Sequence, residues 1–260
     1  MDGSRDDTRL EEYFGETYAR WVLAEIPPER TEKQVEFLLP HLPPPTRGPL
    51  LDVGCGLGRH ALSLASKGWS VVGLDRSPSF VAQAQREAQR QGFSCRFQAA
   101  DMRALPFEQE FAAVTFFWSS FGFYSDQENQ STLAGVYRAL LPGGLLFLDL
   151  ENREAILRHF QKETWRDRGD HWILERNRFD AATETLITRK VYLDGDRRQE
   201  MERRLKLYSQ AELLRMLARA GFSPFHCWGD WDGQSYYLDS PRLLLLAKTP
   251  SIQIESLQSK

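Results

Sequence analysis

Cysteines and long hydrophobic runs are both scarce in this chain of 260 residues. The three cysteines, Cys55, Cys95 and Cys227, are odd in number and widely spaced, which indicates neither a disulfide framework nor a metal site. The most apolar run, residues 243–247, is far too short to span a membrane, and the charged first residues do not resemble a signal peptide. We therefore predict a cytoplasmic protein without a metal ion or a membrane contact.

A strong charge of one sign is also missing. The formal net charge is −3, with 27% charged and 42% hydrophobic residues, which is ordinary for a globular protein. Basic and acidic side chains nearly balance over residues 151–208, where several arginines stand close together. This balance disfavours nucleic acid as a partner. The length suits one α/β domain, or one domain that carries an insertion.

The middle of the chain alternates apolar runs with helical patterns. Such runs indicate strands that are buried on both faces, and their alternation with helices predicts a doubly wound parallel sheet. The predicted strands are 49–53, 70–74, 95–99, 111–118 and 145–150, with helices at 58–67, 78–91 and 126–140 between them. A helix at 210–220 and strands at 222–228 and 242–248 complete a Rossmann-like sheet of seven strands.

Residues 151–208 break this alternation. After a short helix at 153–160, the segments 171–179, 184–193 and 198–208 alternate like strands, and the Asp-Gly-Asp sequence at 194–196 is a hairpin signal. We predict a small antiparallel sheet inserted after the fifth strand. The chain then divides into an N-terminal helical cover (1–48), an α/β domain (49–150 and 209–250), the inserted sheet (151–208) and a tail (251–260).

Two helices are predicted in the N-terminal cover. The first runs from Leu10 to the prolines at 27–28, and residues 1–8 before it are predicted to be disordered. The second begins at about Thr31, a candidate N-cap, and ends at Pro40. A proline-rich connector then leads into the first strand.

A glycine-rich turn follows the first strand. Gly54, Gly56 and Gly58 permit a tight turn that a ligand can approach closely, and a helix begins directly after it. This arrangement predicts a nucleotide-type cofactor seated on the turn and on the N-terminus of the helix. Asp75 ends the second strand, where a carboxylate can accept hydrogen bonds from both ribose hydroxyls.

The turn alone is compatible with a dinucleotide-dependent dehydrogenase, but two neighbouring residues favour another cofactor. Arg59 stands where the dinucleotide motif has its third glycine. Asp52 precedes the turn, and we expect it to place a carboxylate beside the ligand, which suits a cationic ligand better than a pyrophosphate.

The chain resembles the class I S-adenosylmethionine-dependent methyltransferases in the segment Leu51-Asp52-Val53-Gly54-Cys55-Gly56-x-Gly58, with Asp75 and Ala100-Asp101-Met102 downstream. The resemblance extends over nearly the whole chain, from about residue 10 to residue 248. It implies S-adenosylmethionine as the cofactor. The cofactor-binding residues that it implies are Tyr13, Asp52, Gly54, Cys55, Gly56, Gly58, Asp75, Arg76, Asp101, Met102, Phe117 and Trp118.

The resemblance also implies individual roles. In that family the glycine turn packs against the methionine part of the cofactor, and the acid that ends the second strand binds the ribose. Arg76 is then expected beside the adenine, and Asp101 is expected to accept a hydrogen bond from its amino group. Phe117 and Trp118 are expected to border the reactive methyl group.

Within the family the chain is most similar to small-molecule methyltransferases with an antiparallel lid, among them glycine and sarcosine N-methyltransferases. Their N-terminal helices cover the cofactor, which makes Tyr13, Phe14 and Tyr18 candidate lid contacts. The implied activity is in-line transfer of a methyl group to nitrogen or oxygen of a small molecule, by a monomer or homodimer. The alternatives are a methyltransferase that acts on RNA or another macromolecule, and a non-catalytic regulator that binds the cofactor.

Candidate residues for positioning the acceptor are few. Tyr18, His60, His171 and Tyr208 could orient a nucleophile, although a histidine at either position is more often a packed or solvated side chain. The aromatic residues from 116 to 124 divide between core and active-site wall, because the fourth strand ends among them. A second aromatic group, at 228–237, forms either a substrate rim or a cover for the sheet edge.

Overall fold

The computed structural model describes the backbone of residues 3–251 and the side chains of residues 8–251. The predicted tail, apart from Ser251, therefore lies outside the described residues, as do Met1 and Asp2. No helix in the described part of the chain has both the length and the apolar character needed to cross a membrane.

A mixed sheet of seven strands forms the centre of the molecule, in the order β10-β11-β5-β4-β1-β2-β3. The first five strands along the chain are parallel to one another, and β11 runs antiparallel to both β5 and β10. This confirms the predicted Rossmann-like α/β fold. The strands are β1 (Leu50–Val53), β2 (Val71–Asp75), β3 (Cys95–Ala99), β4 (Phe111–Phe116), β5 (Leu140–Glu151), β10 (Ser223–Trp228) and β11 (Arg242–Lys248).

The helices of the main domain flank this sheet because one stripe of each is apolar. Serine caps three of them: Ser77, Ser125 and Ser209 each accept a hydrogen bond from a first-turn backbone amide. The helices are α1 (Gly3–Tyr13), α2 (Glu16–Tyr18), α3 (Pro28–Leu38), α4 (Arg59–Ser66), α5 (Pro78–Gln91), α6 (Asp126–Ala139), α7 (Arg153–Arg158) and α8 (Gln210–Arg219).

A second, antiparallel sheet is inserted between α7 and α8, as predicted, but it has four strands instead of three. They are β6 (Glu163–Asp167), β7 (Trp172–Asp180), β8 (Thr185–Asp194) and β9 (Arg197–Lys206), and we call them the lid sheet. The additional strand, β6, is an edge strand with the sequence ETWRD. Its charged composition gives no apolar alternation, which is why the sequence pattern does not reveal it.

The N-terminal segment differs from its prediction in three ways. Helix α1 begins at Gly3, so the expected disorder of residues 3–8 is wrong; charged residues of moderate helix propensity extend the helix backwards. The expected single helix from Leu10 is interrupted at Gly15, and a π-helical turn, Ala19–Leu23, follows α2. Helix α3 begins at Pro28, a position that proline favours, so Thr31 lies inside it and is not its N-cap.

The strands of the main sheet bury both faces. Every residue of β1, β2 and β4 is buried, which is the pattern expected when helices cover both sides of a parallel sheet. Strand β5 begins at Leu140, five residues earlier than predicted, because the Pro142-Gly143-Gly144 segment is an irregularity within the strand and not a turn before it. The carboxyl ends of β1, β2 and β4 meet at one edge, where such sheets bind ligands.

Candidate cofactor and acceptor site

A cavity of about 460 Å³ lies at this edge of the main sheet. The glycine turn, the ends of β2 and β4, the N-terminal helices and the lid sheet all contribute to its wall. Nine of the twelve predicted cofactor residues line it: Tyr13, Gly54, Cys55, Gly56, Asp75, Arg76, Met102, Phe117 and Trp118. Asp52, Gly58 and Asp101 lie outside it.

The three glycines of the turn serve different purposes, although all have positive φ angles. A Cβ on Gly54 would stand 2.6 Å from Ser120 Cβ, and one on Gly58 would stand 2.9 Å from the ring of Phe97. At Gly56 the nearest heavy atom would be Leu23 Cδ1 at 3.9 Å. Gly54 and Gly58 therefore permit close packing, whereas Gly56 leaves the backbone open towards the cavity.

Asp75 connects the end of β2 to the glycine turn. Its Oδ2 accepts a hydrogen bond from the Gly56 amide at 2.8 Å, and its Oδ1 accepts one from the Ser77 amide at 2.9 Å. Burial raises the pKa of Asp75, while the two amides act in the opposite direction. Each carboxylate oxygen keeps a second lone pair, so the group retains capacity to accept hydrogen bonds from a ligand.

Asp52, which was expected beside the ligand, lies in β1 and does not line the cavity. Its Oδ1 accepts a hydrogen bond from the Thr115 hydroxyl at 3.0 Å, and its Oδ2 has no partner among the described residues. Burial raises the pKa of Asp52 to about 7, although the Thr115 hydroxyl and Arg59 act to lower it. The residue is a buried polar support of the turn.

Asp101 points away from the cavity, towards Arg103. The Arg103 guanidinium donates to Asp101 Oδ2 at 2.9 and 2.6 Å, and the Arg103 amide donates to Oδ1 at 2.8 Å. Partial burial acts to raise the pKa of Asp101, but these hydrogen bonds outweigh it and hold the pKa below its usual value. The neighbouring Met102 does line the cavity, as does Arg76, which also pairs with Glu11 at 3.3 Å.

The backbone turns sharply after β4, where the strand ends two residues earlier than predicted. Trp118 and Ser119 both have left-handed φ angles, 58° and 57°, which are strained for residues with a Cβ. The buried Asp149 holds this turn, because its Oδ2 and its backbone oxygen accept from the Trp118 and Ser119 amides, both at 2.8 Å. Arg242 then donates to Asp149 Oδ1 at 2.6 Å and to Ser119 Oγ at 2.9 Å.

Two arginines that the sequence analysis did not assign to the site flank this tryptophan. The guanidinium carbons of Arg30 and Arg59 lie 4.2 and 4.9 Å from the centre of the Trp118 ring. Arg59 donates only to neutral oxygens, of Thr31 at 2.8 Å and Gln34 at 3.1 Å, and its Nη2 is buried without a partner among the described residues. Burial lowers the pKa of Arg59 to about 10, so it stays charged at neutral pH.

His60 lines the cavity as a buried, neutral side chain. Its Nε2 lies 2.9 Å from Gln34 Oε1, and its ring stacks on Phe117 with a centroid distance of 3.8 Å. Burial lowers the pKa of His60 well below its usual value, and Arg59 adds to that effect. Because Gln34 Oε1 is an acceptor, the proton of the neutral ring belongs on Nε2 and the lone pair on Nδ1.

The N-terminal tyrosines also line the cavity. Tyr13 and Tyr18 contact each other at a centroid distance of 5.2 Å, and both are buried. Burial raises the pKa of each phenol, so both stay protonated at neutral pH. Phe14, the third candidate lid contact, packs against Phe123 with a distance of 5.1 Å between the ring centroids. Burial also raises the pKa of Cys55 well above its usual value, as expected for a small filler.

The two other acceptor candidates lie outside the cavity. His171 joins the lid sheet to the N-terminal segment: its Nδ1 is 2.7 Å from Asp170, its Nε2 is 3.0 Å from Glu25, and its ring packs against Trp21. The Tyr208 hydroxyl donates to Asp126 Oδ1 at 2.9 Å and accepts from Asn129 Nδ2 at 2.9 Å.

The second aromatic group packs against α3 and α7. Trp228 and Trp231 pack against Phe37 of α3, and Tyr236 donates to Asn152 and Glu154. These residues do not line the cavity. Among residues 8–251, no three His, Cys, Asp or Glu side chains are grouped as metal ligands.

Comparison with known protein families identifies the fold that builds this cavity. A family model described as a methyltransferase domain matches residues 50–144, which include β1, the glycine turn, Asp75 and the Trp118 turn. Residues 50–144 are a methyltransferase domain, and these similarities support a class I S-adenosylmethionine-dependent methyltransferase. Its cofactor is accordingly S-adenosylmethionine and not a nicotinamide dinucleotide.

Individual relatives extend this similarity beyond the matched domain. The methyltransferase is 31% identical over 154 residues to a glycine/sarcosine N-methyltransferase of Parasynechococcus marenigrum, covering 58% of this chain and 55% of that protein. It is 26% identical over 219 residues to a glycine/sarcosine N-methyltransferase of Aphanothece halophytica, covering 82% and 80%. The chain therefore spans about half the length of the first of these relatives and four fifths of the second.

A solved structure supports the same fold over nearly the whole methyltransferase. The CcbJ methyltransferase from Streptomyces caelestis aligns with a TM-score of 0.82 at 20% identity, covering 92% of this chain and 98% of that one. At this identity the likeness concerns the fold alone. The lid sheet and the N-terminal helices are thus part of an architecture that at least one other methyltransferase shares.

Proposed function

We propose that this methyltransferase transfers the methyl group of S-adenosylmethionine to nitrogen or oxygen of a small molecule. The observation that carries the proposal is that one cavity joins the glycine turn and Asp75 to the inner face of the lid sheet. A cofactor on the turn and an acceptor under the lid would then face each other in a shared space. In this reading residues 1–48 act as a cover and residues 151–208 as an acceptor lid.

The lining fits the cofactor at five points. Asp75 is placed to accept from the ribose hydroxyls, and the open backbone at Gly56 would take the methionine chain, because a Cβ there would project into the space. Arg59 Nη2, which has no partner among the described residues, would hold the methionine carboxylate together with Arg30, which lies over the same Trp118 ring. Arg76 and Met102 would contact the adenine, while Phe117 and Trp118 would border the methyl group.

The bound cofactor supplies an activated methyl group on a sulfonium, so the protein mainly has to orient the nucleophile. Tyr13 and Tyr18 remain protonated and would therefore donate hydrogen bonds to an acceptor and not remove its proton. The neutral His60 has a free lone pair on Nδ1 and would accept a hydrogen bond from the methyl acceptor, although its lowered pKa makes it a weak base. The cover and lid would exclude water from the reaction.

Three observations favour a small acceptor over a macromolecule. The cavity is bounded by the N-terminal helices and by the lid sheet, which leaves little room for a folded RNA or protein. The named acceptors of the two curated relatives, glycine and sarcosine, are small amines. A mixed charge distribution on residues 151–208 supports the same choice.

The test combines binding with turnover. Calorimetry with S-adenosylmethionine and with NAD should give heat only for the first. Incubation with tritium-labelled S-adenosylmethionine and a fractionated cell extract should then label a component of the small-molecule fraction. Label in the RNA or protein fraction alone would replace the proposal with macromolecule methylation. Binding of the cofactor without any labelled product would favour a regulator instead.

A further inference from the structure

The inner face of the lid sheet is polar across its middle. Along β7 and β8, residues of the inner face alternate with residues of the outer face. The successive cross-strand pairs on the inner face are Ile173–Tyr192, Glu175–Lys190, Asn177–Thr188 and Phe179–Leu186. The first pair belongs to an apolar cluster with the N-terminal helices, and the last pair belongs to an apolar cluster with α7 and the residues around it. The two middle pairs are polar and interrupt the apolar surface between these clusters.

Charged side chains from three further elements join this interruption. Glu175 Oε1 accepts from Lys190 Nζ at 2.8 Å and from Arg166 Nη2, on β6, at 2.5 Å. Arg203, on β9, donates to both oxygens of Glu151 at 2.6 and 3.2 Å, and its Nε is buried without a partner among the described residues. We call Arg166, Glu175, Lys190 and Arg203 the polar belt.

Burial of the charged side chains of the polar belt destabilises the fold, which suggests that they serve another purpose. Charged side chains lose hydration when they are buried, and apolar residues at the same positions would leave the stability of the fold unchanged or raise it. Burial acts to raise the pKa of both Glu175 and Glu151, but the adjacent cations outweigh it and keep both carboxylates ionised. A face that seals the cavity by packing alone has no need of these groups.

The belt separates the cofactor cavity from a second, more open groove of about 620 Å³. All four belt residues line both spaces. The groove continues over the same inner face, beneath α7, and its lining includes Ala155, Ile156, Phe160, Gln161 and Leu186. Because long side chains line both spaces, a change of their rotamers would open a passage between them.

The net charge of the cavity lining indicates the charge of the methyl acceptor that would bind there. Seven arginine and lysine side chains line the cavity against three carboxylates. Two of the cations have carboxylate partners outside the lining: Arg242 pairs with Asp149, and Arg76 pairs with Glu11. An excess of two cations remains, and S-adenosylmethionine adds a further positive charge, since it has a sulfonium, an ammonium and one carboxylate. An anionic acceptor would neutralise this excess.

We infer that the methyl acceptor is an anionic small molecule longer than the cavity, with its distal part in the groove beneath α7. Its nucleophile would reach the cofactor, its negative charge would lie on the belt, and its remainder would contact the groove. This inference rests on the proposed small-molecule methyl transfer and deepens it. It predicts that the acceptor is larger than a single small amino acid.

The groove can be filled without touching the cofactor residues. Ala155→Phe, on α7, and Gln161→Trp each place an aromatic ring in the groove, and Ala218→Phe on the exposed surface of α8 is the matched control. The acceptor is first isolated as the tritium-labelled product of the wild-type protein and a small-molecule cell extract. The kcat/KM for that compound and the Kd for S-adenosylmethionine are then measured for all four proteins.

We expect Ala155→Phe and Gln161→Trp to lower kcat/KM at least tenfold, mainly through KM, while their cofactor Kd stays within twofold of wild type. The control should change neither value, and the labelled product should be retained by an anion exchanger. A product of glycine size, a product without negative charge, or groove variants that turn over normally would overturn the inference while leaving the proposed function intact. No labelled small molecule at all would overturn both.

Discussion

The two walls of the cavity are built in different ways. The main sheet presents the backbone of the glycine turn, the Trp118 turn and one carboxylate that backbone amides hold in place. The lid sheet presents the ends of long side chains, which hold one another through ion pairs. A wall of backbone has one shape, whereas a wall of arginine, lysine and glutamate can exchange partners. The first arrangement suits an invariant ligand, and the second suits an acceptor that differs between enzymes.

The largest loss of cofactor affinity is expected when the carboxylate of Asp75 is removed from the main-sheet side of the cavity. Asp75→Ala should weaken S-adenosylmethionine binding roughly 100-fold, or about 3 kcal/mol, because hydrogen bonds to a charged group contribute about 1.5–3 kcal/mol each. Calorimetry measures this directly, and thermal melting checks that the variant is folded. Asp101→Ala is the control, since Arg103 holds that carboxylate outside the cavity. Equal losses in the two variants would contradict the different positions of these carboxylates.

The buried support of the turn is expected to respond to pH. Native Asp52 has a pKa of about 7, against 3.8 as the reference for the unfolded chain, so the native state binds more protons between these values. The wild-type free energy of unfolding should therefore fall as pH rises through this window. Relative to wild type, Asp52→Asn should gain roughly 2 kcal/mol between pH 5 and pH 8, because each unit of pKa shift is about 1.36 kcal/mol.

Urea unfolding at the two pH values provides the measurement. Asp101→Asn is the matched control, because Arg103 lowers the native pKa of Asp101 and its carboxylate is therefore ionised in the native and the unfolded protein at both pH values, so its stability difference should be nearly the same at pH 5 and pH 8. A stability difference for Asp52→Asn that is the same at both pH values would show that the carboxyl is already ionised in the native protein at pH 5.

A smaller loss of cofactor affinity is expected when Arg59 is changed, and it should affect the methionine end of the cofactor but not the adenosine end. Arg59→Met is expected to weaken S-adenosylmethionine binding about tenfold, or about 1.4 kcal/mol, through loss of a charge-assisted hydrogen bond. Binding of 5′-methylthioadenosine, which has no carboxylate, should change by less than twofold. If both ligands lose affinity equally, Arg59 acts through the packing of the turn and not through the methionine carboxylate.

The smallest effect concerns a residue that belongs to neither wall. Tyr208→Phe removes hydrogen bonds to Asp126 and Asn129 and should cost about 1 kcal/mol of stability in urea unfolding. Cofactor affinity and turnover should stay within twofold of wild type. A tenfold loss of turnover at unchanged stability would place Tyr208 in the acceptor site, as one hypothesis from the sequence had it.

Local patterns explain why the backbone wall is largely predictable from sequence. The apolar run before the glycines, Asp75 at the end of the next strand and the helix after the turn each depend on neighbouring residues, and the structure brings them to one cavity. Arg59 was also noticeable in the sequence, since it occupies the position of the third glycine of the dinucleotide motif. Its role was not assigned because the distance to Trp118 depends on the packing of two separate elements.

The remaining features depend on contacts between distant parts of the chain. The left-handed Trp118–Ser119 turn is held by Asp149 and Arg242, which no local pattern connects with it. The belt follows from the register of four strands, one of which, β6, has no apolar alternation. Asp101 was placed at the adenine by resemblance, but Arg103 two residues later competes for its carboxylate.

The contact of Arg242 with the Trp118 turn has a consequence for the order of synthesis. Arg242 begins β11, which enters the main sheet between β5 and β10. On the ribosome, the glycine turn, β2 and β4 emerge and can pair more than a hundred residues before this guanidinium exists. Until β11 is inserted, Asp149 lacks its cation and the strained turn lacks one of its supports. The end of the chain that contributes nothing to the family motif thus decides when the cavity acquires its final shape.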